Sequence, residues 1–192
     1  MLTAIEPQQP PGRRVVSLAA DRAAETGPYR LDVFAADVED AVTSAGGWLF
    51  DQVAGSWQVT VILAEVTDPR PLQILGVDIE DMQSALAAAP SRPRAQLVAA
   101  AADLLMDDSE LRQYVISGFG HYPTEIAWWG NELATGLDRV RCVHYRPSAA
   151  GSAFKRQALL ASHADHHVTS LIETLWCGMS LRRGAAKTAM AR

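Results

Sequence analysis

Apolar side chains recur at Val38, Ala41, Val42, Ala45, Leu49 and Val53. That spacing predicts an amphipathic helix from Asp37 to about Val53. Asp37 stands where an N-cap belongs, with Asp40 at the third position of a capping box. Gly46 and Gly47 fall inside this helix. Each costs about 1 kcal/mol relative to alanine, so the pair predicts a break or a close approach by another backbone. Gly55 and Ser56 end the helix, and Trp57–Ala64 follows as a nearly continuous apolar run rich in β-branched residues. Such a run predicts a strand buried on both faces. Helix, tight turn and buried strand form one α/β unit.

The same reading extends along the chain. It predicts strands at Arg14–Ala19, Leu31–Phe34, Leu72–Gly76, Glu125–Trp129 and Arg139–Arg146. The last alternates cleanly, with Val140, Cys142 and His144 on one face, as an edge strand does. Helices are predicted at Asp78–Ala89, Ala95–Met106, from Ser109, at Gly130–Leu137, at Ala149–Ser162 and at Asp165–Arg183. Interleaved strands and helices imply a single α/β domain: a mostly parallel sheet with helices on both faces, three-layered and Rossmann-like. The Pro- and Gln-rich residues 1–13 are expected to be a flexible segment, 14–183 the domain, and 184–192 a small basic tail.

Composition narrows the class. The 192 residues are 48% hydrophobic and 20% charged, which is ordinary for a globular chain. No apolar run is long enough to span a bilayer, and the N-terminus lacks the basic start and apolar stretch of a signal peptide. A soluble cytoplasmic protein is expected, with Cys142 and Cys177 as reduced, buried thiols. Only Lys155 and Lys187 among the 17 basic residues are lysines, a bias of the kind actinobacterial genomes encode. Residues 1–110 carry 17 acidic and 7 basic side chains, and residues 111–192 carry 5 and 10. The negative total argues against general nucleic-acid binding. The split argues for a partner protein or a small anionic ligand on the basic half, or for the two halves neutralising each other.

No phosphate loop, dinucleotide-binding glycine turn, nucleophile elbow, His-Glu-x-x-His or Cys-x-x-Cys motif is present. Three weaker constellations remain. Arg141, Arg146, Ser148, Ser152, Lys155 and Arg156 surround the start of a predicted helix, an arrangement that suits an anion or a partner. His121, Trp129, Asn131 and Glu132 flank one predicted strand and could line a crevice beyond its C-terminal end. His163, His166 and His167 share one helical face and could bind zinc or another divalent metal with a further ligand, for a metal-dependent hydrolase. Otherwise no cofactor is expected. Asp37, Glu39 and Asp40 read as a solvated first helical turn. The apolar face Val168–Leu181 of the last predicted helix could join two copies in a homo-oligomer.

One stretch resembles the opening of the PIG-L/LmbE zinc deacetylases. There a strand leads to a His-Pro-Asp-Asp metal motif, then to a helix with a Gly-Gly pair and a Val-Thr-Val strand. Leu31–Asp40, Ala45-Gly-Gly47 and Val59-Thr-Val61 follow that order, and Lys155–His163 resembles a later helix of the family. Ala36 stands at the place of the motif's histidine, so the resemblance carries over no catalytic residue.

Overall fold

The computed structural model describes residues 28–93, 95–117, 125–131, 138–162 and 172–179. Their elements, in chain order, are β1 (Arg30–Ala35), α1 (Val38–Ala54), β2 (Gln58–Leu63), α2 (Arg70–Leu75), β3 (Asp78–Asp81) and α3 (Met82–Ala87). There follow β4 (Leu97–Ala101), α4 (Ala102–Asp107), α5 (Ser109–Ser117), β5 (Glu125–Trp129), β6 (Asp138–Tyr145), α6 (Ala149–Ala161) and β7 (Glu173–Met179). The strands form a single seven-stranded sheet in the order β3-β2-β1-β4-β5-β7-β6. Strands β1 to β5 are mutually parallel, while β7 runs antiparallel to both of its neighbours.

Alternation along the strands sorts two cores. Leu31, Val33 and Ala35 of β1 join Leu97, Ala99, Ala127, Leu175 and Cys177 beneath α1, α2 and α6. Phe34, Val98, Ala100, Ile126 and Trp128 pack on the opposite face under α3, α4 and α5. This is the expected three-layer α/β domain. The α1 unit matches its prediction closely: Asp37 caps the helix by accepting the Asp40 N–H at 2.8 Å.

Four elements differ from the sequence reading. Residues 72–75 belong to helix α2, not to a strand: Pro71 sits in its first turn, where a fixed φ suits a helix, and Gly76 closes it at φ 77°. Asp78–Asp81 is an edge strand paired with β2 before α3 begins; Ile79, Met82 and Leu86 mimic helical spacing across that junction. Leu97–Ala101 is a central strand, although alanine favours helix: both faces are covered, and a wholly apolar run suits either state. Glu173–Met179 is a strand rather than the last helix, inserted between β5 and β6. The helical face proposed for joining two copies is therefore not formed there, and Leu175 and Cys177 are buried in the core instead. Cys177 is buried as expected, but Cys142 is exposed on the edge strand. The predicted strand at 14–19 and helix at 130–137 lie outside the described residues, save for Gly130 and Asn131. Among the described residues no helix is long and apolar enough to cross a membrane.

Candidate functional site

From β1 the chain builds outward to β2 and β3, then returns to place β4 on the other side of β1. At such a reversal the connections leaving adjacent strands diverge and open a crevice beyond their C-terminal ends. The residues leaving β1, β4 and β5 at that edge are Ala36–Asp40, Ala102–Asp103 and Gly130–Asn131. Gly130 turns with φ 89°, and a Cβ on it would lie 3.4 Å from that of Ala102, so the turn favours glycine and keeps the β4 and β5 ends together.

Asp40 is the centre of this edge. Its Oδ1 accepts the indole N–H of Trp129 at 2.8 Å and the hydroxyl of Ser44 at 3.2 Å. Its Oδ2 is buried without a hydrogen-bond partner among the described residues. Burial raises the Asp40 pKa above the ordinary carboxylate value, the Trp129 and Ser44 hydrogen bonds oppose that rise, and the negative charge of Asp37 adds to it. Nearby, Asn131 Nδ2 donates to Asp103 Oδ1 at 3.3 Å. Glu39 is exposed, as a solvated first turn predicts, but Asp40 is not free in solvent. The spacing of the acidic cluster was legible in the sequence. Its tie to Trp129, 89 residues away, was not.

The basic constellation is distributed differently. Lys155 is only 5% exposed and turns inward to the Glu173 carboxylate at 2.6 Å. Ser148 caps α6 by accepting the Gly151 N–H. An anion does sit at the head of α6, and it is the chain's own Asp51. That carboxylate accepts the Ser148 N–H at 2.7 Å, the Ser148 hydroxyl at 2.5 Å and the Tyr145 hydroxyl at 2.7 Å. Burial, followed by the hydrogen bond to Asp51, raises the Tyr145 pKa. Arg141 lies 3.7 Å from Glu125 and remains half exposed, Arg146 and Arg156 are exposed, and Ser152 is partly buried. Of the crevice residues suggested by sequence, Trp129 and Asn131 are at the edge, while His121 and Glu132 lie outside the described residues. So do His163, His166 and His167.

Helix α6 runs antiparallel to α1. Gly151 approaches Gly47 and Asp51, whereas Lys155, one turn later, reaches back to Thr43 and Gly46. The C-terminal end of α6 is thus directed toward the head of α1, where Asp37 and Asp40 lie. Among the described residues no three His, Cys, Asp or Glu side chains converge as metal ligands.

No known family profile matches the chain, and no curated protein is similar to it in sequence. Solved structures are similar in fold. A deacetylase in complex with teicoplanin, from the teicoplanin biosynthesis pathway, superposes with a TM-score of 0.51 at 13% identity, covering 79% of this chain and 99% of that one. The A40926 pseudoaglycone deacetylase gives 0.52 at 12% identity, with coverage of 83% and 100%. The zinc-inhibited form of teicoplanin deacetylase gives 0.51 at 13%, with coverage of 82% and 100%. At these identities the likeness establishes a shared fold.

Proposed function

We propose that the chain is a hydrolase of amide-linked acyl groups, working in the crevice beyond β1, β4 and β5. The observation that supports this reading is Asp40: a carboxylate with a raised pKa, one oxygen held by Trp129 and Ser44 and the other buried with no hydrogen-bond partner among the described residues. A group in that state suits general-base work, because its basicity is brought nearer to neutral pH. The proposed step is simple. Asp40 takes a proton from a water as its oxygen attacks the amide carbonyl, and the C–N bond then breaks with that proton passing to the departing amine. Asp37, Glu39 and Asp103 make the edge acidic, which favours a neutral or cationic substrate over an anion. The shared fold with deacetylases is consistent with N-acetyl groups as the first substrates to try.

A metal-dependent form of this reaction would draw its ligands from His163, His166 and His167, since the described residues alone do not supply a ligand set. A bound divalent ion would polarise the carbonyl and lower the pKa of the attacking water.

The test is acetate release from a panel of N-acetylated amines and amino sugars, with elemental analysis of the same protein. Acetate release that falls at least about a hundredfold in Asp40→Asn supports the reading. Release from none of the panel, or release indifferent to Asp40→Asn, overturns it. Metal below about a tenth of an equivalent would leave the three histidines without that role.

Exposed Arg146 and Arg156 support a second reading, in which this part of the basic half binds a partner protein or small anionic ligand. Charge reversal at both positions should abolish such binding; unchanged copurification counts against it.

A further inference from the structure

Glu173, the first residue of β7, makes three close contacts. Its Oε1 accepts the Gly47 N–H at 2.8 Å and the Lys155 ammonium at 2.6 Å, and its Oε2 accepts the Trp48 N–H at 2.8 Å. Lys155 also donates to the Thr43 carbonyl at 2.7 Å. In an undisturbed helix the amides of Gly47 and Trp48 are given to the carbonyls of Thr43 and Ser44. The ion pair lies against one turn of α1, its carboxylate accepting from two amides and its ammonium donating to a carbonyl. A helix held this way is fixed in register against the strand that carries Glu173. Gly47 makes the approach feasible, since a Cβ there would meet Pro147 at 2.6 Å and Glu173 at 3.2 Å.

The clamped turn lies directly after Asp40. Ser44, which donates to Asp40, belongs to it, and Thr43 is three residues on from Asp40. The other support of Asp40, Trp129, ends β5, the strand beside β7. One frame, β5 with β7, thus holds both sides of the Asp40 contact: Trp129 directly, and α1 through Glu173 and Lys155. A buried ion pair is weak support for stability compared with an apolar pair of similar size, so this one calls for another role.

We propose that Glu173 and Lys155 are positioning residues for Asp40, setting the register of α1 against β5 and β7 so that Asp40 meets the Trp129 indole. The proposal rests on the reading of Asp40 as the working carboxylate. Its test follows the indole N–H resonance of Trp129 in the full chain, assigned by its loss in Trp129→Phe and its displacement in Asp40→Asn. In Glu173→Gln and in Lys155→Met the resonance should move toward that of a free indole and exchange with solvent at least tenfold faster. The double variant Lys155→Met with Glu173→Met separates positioning from folding. It should regain thermal stability lost in the single variants, yet keep the displaced resonance. A folded double variant with the wild-type Trp129 resonance overturns the proposal. Acetate release is scored separately, so failure of the hydrolase reading would be seen in the wild type, whatever the resonance does.

Discussion

Two of the carboxylates at helix α1, Glu173 and Asp40, are treated in opposite ways. Glu173 reaches its middle with each oxygen accepting an amide N–H and a lysine alongside. Asp40 sits in its first turns with one oxygen left without a partner among the described residues. The first is what a folded core does with a buried charge: surround it with donors and neutralise it. The second leaves burial uncompensated, and its raised pKa is the consequence. Complete satisfaction marks a structural role. Incomplete satisfaction leaves Asp40 able to take a further hydrogen bond, which is what the proposed reading uses.

The sharpest way to break this comparison is to unbalance the satisfied pair. Lys155→Met should destabilise the fold by about 3–5 kcal/mol in denaturant unfolding, because it strands a buried carboxylate. A loss below about 1 kcal/mol would mean that Glu173 is far better solvated than its position implies. Next in size is Gly47→Ala. Its new methyl would be driven into Pro147, with an expected cost of about 1–3 kcal/mol by the same measurement. Trp129→Phe keeps an aromatic ring but removes the donor to Asp40, and should cost about 1–2 kcal/mol.

Asp40→Asn should act in the other direction. An acid whose folded pKa is raised holds its proton more tightly when folded, so the stability it contributes is present at acidic pH. That contribution is lost as pH rises from the ordinary aspartate value through the raised one. Wild-type stability should therefore fall across that window more than Asp40→Asn stability does. Equal pH profiles for the two proteins would show that Asp40 is not desolvated. Smallest of all is Arg141→Ala: its pairing with Glu125 is half exposed, and a thermal scan should register less than about 1 kcal/mol.

Much of the fold could be read in advance where local pattern and tertiary environment agreed. The α1 period, its Asp37 cap, the β-branched β2 and the alternating β6 each encode one state. The four misread elements share a cause. Residues 72–75, 78–81, 97–101 and 173–179 are short runs compatible with either state, and the sheet decided for them by offering partners to three and denying one to 72–75. Lys155 looked like part of an anion site because its buried partner lies 18 residues on, in a segment read as helix.

By itself the sequence determined a three-layer α/β domain, a helix whose glycine pair called for a break or a close approach by another backbone, and an acidic first half. Only the tertiary structure decided between these: α1 runs unbroken, and a carboxylate, a lysine and Pro147 pack against it near Gly47. It also decided which carboxylate would be quenched and which left partly unsatisfied. The physical reason is that charge and hydrogen-bond satisfaction depend on groups brought together from distant positions, 126 residues apart for Gly47 and Glu173 and 89 for Asp40 and Trp129. Periodicity and propensity act over a few turns or strands.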